Sequence, residues 1–131
     1  MTTVVAPDVE HIATTTIDSA LADLGRAWPV ATREPCPRPD RYVKLVVTGG
    51  RKRNLRIADY LVTARIHTPL AEAVECSRVA NHLAGSLEAA PWDEDAVTWA
   101  GIESCARFDD PDLPSYAVYQ AVVAWTIAIP V

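Results

Sequence analysis

Residues 41–68 read RYVKLVVTGGRKRNLRIADYLVTARIHT, two apolar alternations separated by a glycine pair and a basic cluster. Successive side chains of an extended strand point to opposite sides. From Arg41 to Thr48, Val43, Leu45 and Val47 therefore share one face, and Tyr42, Lys44 and Val46 take the other, as in a half-buried strand. The same period returns from Ala58 to Thr68. Tyr60, Val62, Ala64 and Ile66 form one face there, and Leu61, Thr63, Arg65 and His67 form a more polar one, expected to meet solvent. Gly49 and Gly50 supply the backbone freedom for a reversal between the two runs. The stretch predicts a β-hairpin with Arg51, Lys52, Arg53 and Arg56 around its tip.

On the N-terminal side, Pro29, Pro35, Pro37 and Pro39 make a stiff connector with room for one short edge strand. Before it, Val9, Ile12, Ala13, Ile17, Ala20, Leu21 and Leu24 recur at three- and four-residue steps. Asp8 can cap the first turn, and Gly25 can end the last. A helix is expected over residues 8–24.

On the C-terminal side, Thr68 can cap a second helix with Pro69 at its first position. Its apolar stripe is Leu70, Ala73, Val74, Ser77, Ala80, Leu83, Ala84 and Leu87. EAAPWDEDAV, residues 88–97, breaks that pattern with a proline and acids, and predicts a loop. A strand from Val97 to Arg107, a second acidic loop FDDPDLP, and a strand from Ser115 to Ile129 complete the chain.

The order α-β-β-α-β-β predicts one α+β domain over residues 1–131, with a mostly antiparallel sheet of about four strands and two helices packed on one face. The last strand is apolar on both sides: Val118, Val122, Ala124 and Ala128 on one, Tyr119, Ala121, Val123, Trp125, Ile127 and Ile129 on the other. Either helices cover both sides of the sheet, or one side is shared with a neighbouring subunit. Two helices are few for covering a twisted sheet twice, which favours the shared face.

Half of the 131 residues are hydrophobic and 22% are charged, which excludes a disordered chain. The longest apolar run, Ala121 to Ile129 with Thr126 inside it, falls far short of the roughly 18 residues that cross a bilayer. The start MTTVVAPDVEH lacks the basic and apolar regions of a signal peptide, so export is not expected. Cys36, Cys76 and Cys105 have no CxxC spacing and read as reduced thiols. Cys76 and Cys105, inside periodic segments, read as small core residues.

Chemical motifs point away from catalysis. TGGRKRN lacks the phosphate-loop spacing and runs into a strand, so no helix N-terminus can meet a phosphate there. His11, His67 and His82 are scattered without ligand spacing, and Asp93, Glu94 and Asp95 lack the pattern of a calcium loop. No metal, cofactor or catalytic residue is predicted.

Charge is distributed unevenly. Residues 33–56 carry eight basic side chains against two acidic ones, and residues 88–112 carry eight acidic ones against Arg107. The basic tip can be a solvated turn or a phosphate contact, although no exposed rings interleave with it for base stacking. It can also meet the acidic loops of another copy, a heterologous contact that builds a ring if its rotation closes and a filament if not.

The run from Pro37 to Leu87 and the stretch FDDPDLPSYAVYQAVVAWTIAI resemble the tail terminator, or tail completion, proteins of long-tailed phages of actinobacteria. The matching features are Arg38-Pro39-Asp40-Arg41 before a strand, Thr48-Gly49-Gly50, and Asp109 to Pro114 before a long final strand. Ser115 stands where that family often has an arginine. The resemblance implies a hexameric ring, assembled in the host cytoplasm, at the head-proximal end of the virion tail. Its implied partners are copies of itself, the major tail tube protein and head-to-tail connector proteins, with DNA passing non-specifically through the lumen. Arg51, Lys52, Arg53, Arg56, Asp109, Asp110 and Asp112 are the candidate inter-subunit or tube contacts.

Overall fold

The computed structural model describes residues 4–130. Helix α1, Val9–Asp23, begins where Asp8 accepts the His11 backbone N–H at 3.0 Å, and Gly25 beyond its end has φ of +69°. Both boundary signals act as the sequence implies. Strands β1 (Val30–Ala31), β2 (Tyr42–Asn54) and β3 (Ile57–Pro69) follow. After a 3-10 turn, Leu70–Glu72, come helix α2 (Ala73–Glu88), the short helix α3 (Ala90–Asp93), and strands β4 (Val97–Arg107) and β5 (Tyr116–Ala128).

The α+β architecture is the expected one. One sheet has the order β1-β2-β3-β5-β4, antiparallel except for β1, which runs parallel to β2 and pairs with Val43 and Lys44. β5 lies between β3 and β4, and therefore has neighbours on both edges.

Val43, Leu45, Val62, Ala64, Ile66, Val123, Trp125 and Ile127 join α1 and α2 in one core on one face of the sheet. Trp125 is 1% exposed and donates its indole N–H to the Leu87 carbonyl at 2.9 Å, tying the end of α2 to the centre of β5.

Four local expectations are corrected. The chain does not reverse at Gly49–Gly50: β2 continues to Asn54, and the turn is Leu55–Arg56. The glycines, with φ of +100° and +85°, accompany a bulge instead. A positive φ serves a bulge as well as a turn, so the glycine pair alone does not distinguish them. Pro69 closes β3 rather than opening α2, and Thr68 makes no side-chain cap to the helix. The buried stripe of α2 is rotated: Cys76 and Val79 are inside, whereas Val74 is 74% exposed and Leu70 is outside. Part of the predicted 88–97 loop is the single-turn α3.

Both helices of the core lie on one face, so among the described residues no helix lies over the second apolar face of β5. At one end the proline-rich connector and the β4–β5 loop close over that face. Tyr42 is fully buried there and donates to Glu34 at 3.0 Å, and Tyr116 donates to the Pro39 carbonyl at 2.8 Å. His67, expected to be solvated, is 2% exposed beneath them. Towards the hairpin the face is open, with Leu61 41% and Trp99 55% exposed, and Val122 and Ala124 half-buried.

Candidate assembly surface

The candidate contacts occupy opposite ends of the sheet. The Leu55–Arg56 turn joins β2 to β3 at one end. At the other, Tyr116 faces Pro69, and the loop carrying Asp109, Asp110 and Asp112 leads into β5. β3 spans the distance in twelve steps, roughly 40 Å at about 3.3 Å per residue. The two groups therefore do not meet within one chain.

Extension of β2 also changes what each cation can do. Arg51, Lys52 and Arg53 are strand residues, not turn residues, and only Arg56 sits in the reversal. Arg53 is engaged: it donates to both carboxylate oxygens of Asp59, at 2.6 and 2.7 Å, and to Thr126 at 3.2 Å. Hydrogen bonding from Arg53 holds the Asp59 carboxyl below its ordinary range, and the same pair raises the arginine. Lys52 reaches the Val4 carbonyl at 3.4 Å. Among the described residues, the guanidinium groups of Arg51 and Arg56 have no ion-pair partner.

On the acidic side, Asp109 pairs with Arg107 at 2.8 Å, and Asp110 accepts the Asp112 backbone N–H at 2.9 Å. These contacts shape the loop while leaving the Asp112 carboxylate available. The loop also carries Phe108, whose ring lies 4.6 Å from the Arg65 guanidinium.

Other polar groups are occupied structurally. Cys76 is buried, donates to the Ile66 carbonyl at 3.2 Å, and has its thiol pKa pushed up by burial, the opposite of an activated nucleophile. No hydrogen bond among the described residues joins a serine, threonine or cysteine to a histidine, and none of their His, Cys, Asp and Glu side chains cluster in threes around a metal position. A cleft of about 400 Å³ between α1 and the α2–α3 corner is lined by Thr16, Ser19, Asp23, Ser86, Asp93 and Glu94. No helix is long and apolar enough to cross a membrane among the described residues.

Two features escape a reading of sequence alone. The Arg53–Asp59–Thr126 ladder spans three strands, and its members come together only through the β2–β3–β5 pairing. The cluster of Glu34, Tyr42, His67 and Tyr116 likewise draws on the connector and three strands. The signal present was an out-of-place one: a tyrosine and a histidine on a face otherwise assigned to solvent.

No protein-family model matches the chain, and no curated protein is recognisably related to it.

Proposed function

We propose that this chain is a non-catalytic structural subunit that assembles with copies of itself into a ring capping the head-proximal end of a phage tail tube. In this role the ring stops tube growth and presents a docking face to the head. The observation that carries the assembly reading is the open part of the second sheet face, where Leu61 and Trp99 are 41% and 55% exposed, beside Arg51 and Arg56, which have no ion-pair partner among the described residues. An exposed apolar patch beside unpaired cations favours contact with a partner surface that is apolar in part and acidic at its rim.

The tail and the number six rest on the sequence resemblance alone. The partners on this reading are further copies, the tube protein and connector proteins. Contacts with DNA in the lumen are weak and non-specific, since tight phosphate binding would impede its passage.

The test is an early stop codon in this gene within the genome that carries it, with lysates inspected by electron microscopy. Overlong tails beside unattached, DNA-filled heads are expected. Tails of normal length with detached heads would move the subunit to another position in the head-to-tail joint, and intact virions would overturn the structural role.

A further inference from the structure

Both outer edges of the sheet are open over most of their length. β1 covers β2 only at Val43 and Lys44, so among the described residues no strand lies beside β2 from Leu45 to Asn54, and none lies beyond β4. Unpaired edge N–H and C=O groups are a template for another strand.

Three antiparallel pairings separate β2 from β4, so the two edges run in opposite directions. Identical copies related by rotation about an axis along the strands would set β4 of one antiparallel to β2 of the next. The registers state which residues share a level. Lys52 pairs with Ala58, Ala58 with Ile127, and Ile127 with Val97. By the same path, Arg51 shares a level with Trp99, and Val47 with Ile102.

This places the unexplained exposed groups of one edge against complementary groups of the other. Trp99 and Ile102, 55% and 41% exposed on β4, stand level with Arg51 and Val47. Asp93, Glu94 and Asp95 stand two to four residues before Val97, which is level with Lys52. Bulges between Gly49 and Arg51 on β2, and between Val97 and Trp99 and between Ile102 and Ser104 on β4, limit regular pairing to the levels from Val47 to Gly49.

We infer that copies of this chain join side by side through β4 of one and the outer edge of β2 of the next, with Asp93–Asp95 facing Arg51 and Lys52 and Trp99 lying against Arg51. The inference rests on the ring reading for the rotation that relates the copies. It reassigns the lateral acidic partner of the basic residues from the Asp109–Asp112 loop, which lies at the other end of the sheet, to the segment before β4. Cation–π contact and burial of Ile102 add to the strand pairing.

Native mass spectrometry and sedimentation of the full chain over a concentration series at low salt test it. Arg51→Glu with Lys52→Glu, and separately Asp93→Lys with Asp95→Lys, are each expected to weaken self-association at least tenfold through like-charge contact. An equimolar mixture of the two variants, or all four changes in one chain, should restore it. A wild-type chain that stays monomeric at millimolar concentration would overturn the contact, as would weakening without rescue. Hydrogen exchange supplies a mutation-free readout: amides of β4 should slow as wild-type concentration rises, and unchanged exchange would overturn the contact. Association through these edges with normal tails in the stop-codon phage would remove only the terminator reading. Aberrant tails without this association would remove only the contact.

Discussion

The imidazole of His67 lies flat against the ring of Tyr42, with centroids 4.1 Å apart and planes 6° from parallel. Tyr116 meets both rings edge-on, at 6.0 and 6.1 Å, and His67 Nδ1 is 3.1 Å from the Arg65 carbonyl. Burial lowers the His67 pKa, and the Glu34 carboxylate opposes that shift without cancelling it.

Stability should therefore depend on pH through this residue. The unfolded histidine takes up a proton near pH 6.5, while the folded one resists until lower pH. His67 thus contributes fully above about pH 6.5, and its contribution is lost as pH falls from there through the folded pKa, at no more than about 1.4 kcal/mol per pH unit for one proton. Thermal melts between pH 7.5 and 5 should show this decline, and His67→Phe, which keeps an aromatic stack, should flatten it.

Gly49 is the backbone position least open to replacement. Its φ is +100°, and a Cβ there would lie 2.8 Å from the Asp59 carbonyl oxygen on the neighbouring strand. Gly49→Ala should destabilise the fold by roughly 1–3 kcal/mol, measured by urea unfolding. Gly25→Ala supplies the comparison: its φ is also positive, but no atom lies within 4 Å of a Cβ, so the loss should be smaller.

Trp125 should dominate the core. Trp125→Ala is expected to cost about 3–5 kcal/mol through lost burial and a cavity. Trp125→Phe refills part of the volume but leaves the Leu87 carbonyl without its donor, which adds roughly 1–3 kcal/mol if no other donor reaches it. Chemical denaturation of the two variants separates these contributions.

The four basic candidates should not behave alike. Reversing Arg53 sets two carboxylates against each other beside Thr126 and should lower the melting temperature. Arg56→Glu removes no ion pair among the described residues and should leave melting unchanged, whereas Arg51→Glu sets a carboxylate directly opposite Asp59 and should lower it modestly. An assembly defect in Arg56→Glu would then report contact with a partner rather than damage to the fold.

Much of this arrangement is already present in the order of residue types. Alternation alone groups Val43 with Leu45 on one face of β2, and Val62, Ala64 and Ile66 on one face of β3, since successive side chains of a strand point to opposite sides. Asp8 and Gly25 bound α1 because a free N–H and a left-handed backbone are local needs that single residues meet. The apolar second face of β5 is equally plain.

Tertiary structure decided what depends on pairing and packing. The site of the hairpin reversal follows from strand register, because Gly49 and Gly50 suit a bulge as readily as a turn. The face α2 buries was set by the sheet beneath it, which took Cys76 and Val79 and left Val74 outside, although helical spacing allows either. The burial of His67 required Tyr42, Tyr116 and the connector to converge. The separation of the basic and acidic candidates is likewise a consequence of antiparallel order, since strand direction determines which loops share an end and no local run of residues encodes it.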